Sequence, residues 1–240
     1  MRLDLLLAKT YSRKAMKQAL HQRKITVDGV IAQHLSQNVD TNLQEVIVNG
    51  IKLTEAPHHY FIVNKPAGVV TANSDTHHQT VMDLLKDKDY NSSLYAVGRL
   101  DRDTRGLLLI TDNGPLGFQL LHPDYHISKT YFVIVNGLLT IDDVKKFQQG
   151  ITFYDGTVCK PAELLLYTTT TRISSATITI TEGKFHQIKK MFLCVGKKVT
   201  YLQRIQFGEL TLEQELKEGE YRPLHKKELA IIKSYLEKTR

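Results

Sequence analysis

The chain holds only two cysteines, Cys159 and Cys194, far apart and without CxxC spacing. They read as reduced thiols of a cytoplasmic protein, not as a disulfide framework. No stretch approaches the roughly 18 apolar residues of a membrane span. At the start, Met1-Arg2-Leu3-Asp4-Leu5 places an acid where a signal peptide needs an apolar run, so neither a signal peptide nor a membrane partner is expected. A P-loop and a dinucleotide fingerprint are also lacking, and with them the usual means of holding a nucleotide cofactor. His58-His59 and His77-His78 have no Cys or His at ligand spacing, so no metal site is expected. No repeat with a period of roughly 20–50 residues is visible.

What is present is a basic, globular chain. Its 240 residues suffice for one large domain and a small one. A hydrophobic fraction of 42% with 24% charged residues supports a buried core and argues against disorder. The net charge of +7 favours an anionic partner such as RNA or an acidic membrane surface. Charge alone leaves a mildly basic enzyme of small substrates open.

Much of that charge lies in the first thirty residues, where Arg2, Lys9, Arg13, Lys14, Lys17, Arg23 and Lys24 face only Asp4 and Asp28. Leu3, Leu6 and Leu7 suggest a short first helix, and Ser12 is a good N-cap for a second running to about His21. On the second, Met16 and Leu20 share one face while Arg13 and Lys17 share another. Ile25-Thr26-Val27, Asp28-Gly29 and Val30-Ile31 then predict a hairpin. A basic cluster of this kind can be an ordinary solvated face or an RNA clamp. The run from Met1-Arg2-Leu3-Asp4 through Ser12-Arg13 to Val27-Asp28-Gly29 resembles the S4 domain, the small RNA-binding module of ribosomal protein S4. The usual glycine before the strand is replaced by Gln22-Arg23-Lys24. The resemblance implies RNA contacts from Arg13, Lys14, Lys17, Arg23 and Lys24.

The expected organisation is residues 1–54 as this module, a linker at 55–59 and a larger domain at 60–240. Within the larger domain, strands are predicted at 60–64, 94–97, 107–111, 129–135, 162–167 and 173–179. Helices are predicted near 80–85, 115–121, 141–149, 185–195 and 226–237. Several strands follow one another without helices, so an α+β fold with a mixed or antiparallel sheet is expected over a doubly wound one.

Four stretches of this larger domain can carry chemistry. Gly98-Arg99-Leu100-Asp101-Arg102-Asp103-Thr104-Arg105-Gly106-Leu107 is a charge-dense loop between two strands, a place where catalytic groups are often set. Arg99 and Arg102 flank Asp101, a setting that favours a charged carboxylate. Spacing alone also allows a salt-bridged turn. Glu182-Gly183-Lys184-Phe185-His186-Gln187-Ile188-Lys189-Lys190-Met191-Phe192 leads through a turn into an amphipathic helix. Its lysines leave the apolar stripe formed by Ile188, Met191, Phe192 and Val195. Lys129-Thr130-Tyr131 enters an apolar strand, and Asn64-Lys65-Pro66-Ala67-Gly68 reads locally as a tight turn.

In this order the four stretches resemble the motifs of RsuA-type ribosomal RNA pseudouridine synthases, in which an S4 domain precedes the catalytic domain. The most specific piece is Arg99-Leu100-Asp101-x-x-Thr104-x-Gly106-Leu107-Leu108, and the likeness covers nearly the whole chain. It implies that Asp101 attacks during breakage of the N-glycosidic bond. By the same resemblance Arg99 fills the gap left by the flipped uridine, Tyr131 packs against the base and Lys189 pairs with the aspartate. Lysine, where related branches often have arginine, would forgo bidentate pairing. Lys65 and Pro66 would shape the pocket. No cofactor is implied, and the expected partner is structured ribosomal RNA, either small-subunit RNA or an assembly intermediate, bound by a monomer. The segments His186-Gln187-Ile188-Lys189 and Gly219-Glu220-Tyr221-Arg222-Pro223-Leu224 point to small-subunit RNA. The sister branch acting on large-subunit RNA and a non-catalytic ribosome-assembly factor stand as alternatives. A DNA-binding regulator fits poorly, because the Arg13–His21 helix is short and lysine-rich.

Overall fold

The computed structural model describes residues 1–54 and 58–237. In chain order these form α1 (Leu3–Leu7), α2 (Arg13–His21), β1 (Ile25–Val27), β2 (Val30–Ile31), β3 (Val46–Val48), β4 (Ile51–Lys52), β5 (Tyr60–Lys65), β6 (Tyr95–Val97), β7 (Arg105–Thr111) and α3 (Gly114–Leu121). They continue as β8 (Lys129–Asn136), α4 (Ile141–Gln149), β9 (Glu163–Thr169), β10 (Ile173–Ile180), α5 (Gln187–Cys194), β11 (Val199–Phe207), β12 (Leu210–Thr211), β13 (Tyr221–Pro223) and α6 (Lys226–Glu237). The chain divides into two compact units.

The first unit contains Met1–Tyr60, Thr111–Leu120 and the segment from Pro223. Ser12 Oγ accepts from the Ala15 N–H at 3.3 Å and starts α2. Leu3, Leu6, Leu7, Met16 and Ala19 from the two helices pack with Ile25, Val27, Val46 and Val48 from the strands. The strands form an antiparallel sheet in the order β2-β1-β3-β4. Asp28 and Gly29 both have positive φ, 51° and 78°, as a tight two-residue hairpin turn requires. Arg23 is also left-handed (φ 55°), at the run that stands in for the expected glycine.

Two segments that a linear division would assign to the larger domain cluster with this unit, and polar contacts explain why. The Tyr60 hydroxyl donates to Asp40, and Asn113 Nδ2 donates to both, at 2.8 Å to Tyr60 and 3.2 Å to Asp40. Burial, then the facing Asp40 carboxylate, pushes the Tyr60 phenol far above its ordinary range. Lys233 of α6 pairs with Asp28 at 3.0 Å. Of the linker expected at residues 55–59, residues 55–57 lie outside the described residues. His58 and His59 are held, because Asp112 accepts from the His59 N–H at 2.9 Å and faces both imidazoles at 3.0 and 3.1 Å.

The second unit, Phe61–Ile110 and Leu121–Arg222, is built on a mixed sheet in the order β13-β5-β7-β11-β8-β10-β9, with β6 beside β7 and β12 beside β11. β8, β9 and β10 pair antiparallel, as do β11 and β8, whereas β11 and β7 run parallel. β7 is buried on both faces and accordingly reads as an unbroken apolar run, whereas β10 alternates. Thr140 and Asp143 close a capping box at the start of α4. α4 and α5 meet through Phe147 and Phe192, whose ring centroids are 4.9 Å apart, over a core that includes Val133, Val135, Ala176 and Ile178.

β11 is absent from the strands expected from sequence. Gln203, Arg204 and Gln206 break its apolar pattern, yet Arg204 is 2% exposed, with Nε donating to the Leu107 carbonyl at 2.7 Å. Its neighbour β7 approaches closely at Gly106, where a Cβ would lie 2.2 Å from the Arg204 carbonyl oxygen, so only glycine fits. The helix expected near 80–85 is a single 3-10 turn at Met82–Leu84.

Candidate active site

Between β6 and β7 the chain forms the charge-dense loop, and its backbone is held at several points. Thr71 Oγ1 donates to the Leu100 carbonyl at 2.9 Å and accepts the Leu100 N–H at 3.2 Å. The Thr104 N–H donates to the Asp101 carbonyl at 3.0 Å, and the Gly68 N–H donates to the Arg102 carbonyl at 2.8 Å. Lys65, fully buried at the end of β5, directs its ammonium at three backbone carbonyls: Pro66 at 2.9 Å, Arg102 at 3.1 Å and Thr104 at 2.8 Å. The turn Asn64–Gly68 is therefore the brace beneath the loop. Burial lowers the Lys65 pKa to about 8, against the pull of Asp103 and Asp101.

A second element supplies the cation. Glu182 gathers the turn before α5, accepting from the Lys160 N–H at 3.0 Å, Gln187 Nε2 at 2.7 Å and the Lys184 ammonium. His186 occupies the N-cap of α5 in the left-handed conformation. With Ile188, Met191 and Phe192 turned into the core, Lys189 is left beside the loop. Its ammonium lies 2.9 Å from Asp101 and 2.5 Å from Asp103. Burial works to lower the Lys189 pKa, but the hydrogen bonds to Asp103 and Asp101 outweigh it and raise the value. Asp103 moves down, because the Lys189 bond overcomes its own burial. His186 Nε2 stands 3.7 Å from Asp101 Oδ1. Lys190 is engaged elsewhere, 5.3 Å from the Phe153 ring centroid and 5.6 Å from that of Phe185.

Thus Asp101 and Lys189, expected as a pair, meet. Tyr131 is buried on β8 in the same core cluster as Leu100. Arg99 is exposed, and neither residue forms a hydrogen bond or ion pair with Asp101 among the described residues. Arg13, Lys14, Lys17, Arg23 and Lys24 are all exposed and form no ion pair among the described residues. Two members of the site were not anticipated. Asp103 shares Lys189, and the acid-x-acid spacing of Asp101 and Asp103 was its one signal. His186 approaches Asp101 through the N-cap geometry of α5, which local sequence does not reveal.

Chemically, the arrangement is a partly exposed carboxylate on a braced loop, with an ammonium in direct contact. It suits nucleophilic attack or stabilisation of a developing positive charge. Among the described residues no group of three or more His, Cys, Asp or Glu is disposed to hold a metal.

Residues 59–193 match the sequence model of the family described as RNA pseudouridylate synthase. An uncharacterized RNA pseudouridine synthase of Bacillus subtilis (strain 168) is 38% identical over 234 residues, 97% of this chain and 98% of the relative. The ribosomal small subunit pseudouridine synthase A of Escherichia coli (strain K12) is 35% identical over 236 residues, 97% of this chain and 100% of that protein. A crystal structure of a pseudouridylate synthase superposes with a TM-score of 0.68 at 31% identity, covering 97% of this chain and 99% of the other.

Proposed function

The chain belongs to the RNA pseudouridine synthase family, isomerases acting on RNA, and on that premise we propose that it converts one uridine of small-subunit ribosomal RNA to pseudouridine, with Asp101 as the attacking group. The observation that carries the assignment of Asp101 is its 2.9 Å contact with Lys189 on a loop braced by Lys65. The naming of full-length relatives as small-subunit enzymes supports the choice of RNA.

A uridine in folded RNA must be unstacked and extruded before its glycosidic bond is accessible. Arg99, exposed and without an ion pair among the described residues, fills the vacated position in this reading. The reaction breaks the bond from C1′ to N1 and makes one from C1′ to C5. The proton lost from C5 is balanced by one gained at N1, so nothing is oxidised or reduced and no cofactor is called for. Asp101 attacks or stabilises the charged sugar while Lys189 holds its carboxylate in place. Tyr131 packs against the freed base, and keeping the base in the pocket makes recombination intramolecular.

The N-terminal helices and hairpin act as an S4 module, with Arg13, Lys14, Lys17, Arg23 and Lys24 on phosphates. Their exposure supports this role. No described helix is long and apolar enough to cross a membrane. In this reading the enzyme works in the cytoplasm, as a monomer on ribosomal RNA. The test is to map pseudouridine in ribosomal RNA from cells with and without this gene. One small-subunit site present only with the gene is the expected result. Loss confined to large-subunit RNA would assign the chain to the sister branch.

A further inference from the structure

We propose that Phe185 and His186 form a stacking platform for the nucleobase adjoining the uridine that Asp101 attacks; this rests on the functional reading above. Phe185 is 75% exposed, immediately before the helix that carries Lys189. Its ring lies flat on the His186 imidazole, with centroids 3.8 Å apart and planes 20° from parallel. The imidazole in turn reaches Asp101 at 3.7 Å. An aromatic stack therefore runs outward from the attacking carboxylate to the surface.

Folding does not account for this arrangement. An exposed phenylalanine forgoes the gain from burying its ring. His186 adopts φ 53°, a left-handed conformation shared by Arg23, Asp28, Asn49 and His126, and its side chain makes no helix-capping bond. The surroundings favour RNA as the occupant. The Lys190 ammonium lies over the Phe185 ring, 5.6 Å from its centroid and 4.0 Å from the Asp155 carboxylate, and adds positive charge beside the platform. Every base has a π-face, so a platform of this kind accepts any neighbour of the target and holds it without reading sequence.

The test uses full-length protein with Phe185→Ala, Phe185→Trp and, as a control, Ile141→Ala, whose side chain is also exposed. Two measurements are made: steady-state kinetics on small-subunit ribosomal RNA, and fluorescence of a short oligouridylate carrying one 2-aminopurine, which needs no turnover. Phe185→Ala should raise KM by roughly 5- to 150-fold, the range expected for loss of one stacked base, with kcat changed less. It should also lose the 2-aminopurine quenching expected of the wild type, and a wild type that shows no quenching overturns the platform. Phe185→Trp should restore both, and Ile141→Ala should change neither. A Phe185→Ala protein with unchanged KM and quenching overturns the platform. So does one whose only change is in sedimentation, which would mean that the ring is covered by a second copy of the chain. A wild type that forms no pseudouridine in either ribosomal RNA overturns the functional reading instead, and the fluorescence arm still decides the platform.

Discussion

Asp101, Asp103 and Lys189 place two carboxylates on one ammonium, and the members of that cluster are not equivalent. Asp103 is 71% exposed at its side chain, so solvent screens its share of the pairing, whereas Asp101 and Lys189 are both mostly covered. Asp101→Asn should abolish pseudouridine formation while RNA affinity stays within a few-fold; near wild-type conversion by the purified variant would refute the assignment. Lys189→Met leaves two carboxylates side by side without their cation. The pair lies between a surface and a buried one, so roughly a 10- to 100-fold loss in kcat is expected. Lys190→Met should act less on kcat, because Lys190 rests on aromatic rings and not on Asp101. Equal losses in both variants would show that the roles on α5 are misassigned. Lys65 makes a prediction about pH. Its folded pKa of about 8 lies below the ordinary 10.5, so between these values the unfolded chain binds more protons. Stability from this group therefore rises with pH from about 8 to 10.5, by about 3 kcal/mol at most. Urea unfolding across that window should rise more steeply for wild type than for Lys65→Met, and parallel profiles would contradict the burial argument.

Single elements were legible where local rules agree with packing. α4 is such a case: Thr140 caps it, Asp143 completes the box, and Val144 and Phe147 face inward. α2 is another, and its outward face carries the next prediction. Arg13 and Lys17 lie on the solvent side, away from Met16 and Ala19. For every phosphate no longer neutralised, the salt slope of RNA binding should fall by about 0.7 to 0.9. Replacing both residues with alanine should weaken binding and flatten its dependence on salt, with kcat at saturating RNA little changed. An unchanged slope would mean that this face does not meet RNA. β11 was not legible, because a strand containing Gln203, Arg204 and Gln206 looks polar until its neighbours are known. In the fold β7 supplies the Leu107 carbonyl that receives Arg204 Nε, and Gly106 gives the room to approach.

At the scale of the whole molecule, a basic N-terminal module and the Asp101 site together predict a structured substrate. A uridine is extruded most easily where it is already weakly stacked, in a loop or bulge, while nearby helices offer phosphates to the basic face. Small-subunit ribosomal RNA should thus be modified at one site, and a short unstructured oligonucleotide should react poorly. Equal rates on the two would remove the argument for structural recognition. What the sequence by itself determined were the features governed by residues close along the chain: the Ser12 cap, the Asp28-Gly29 turn, the apolar run of β7 and the motif around Asp101. Tertiary structure alone decided which distant groups meet. It added Asp103 to the expected pair of Lys189 and Asp101, directed Lys65 at three backbone carbonyls, brought His186 to Asp101 and gathered Asn113 with Tyr60 and Asp40. The reason is physical. A cap or a turn depends on neighbours in sequence, whereas an ion pair or a buried donor depends on what the rest of the fold delivers to it.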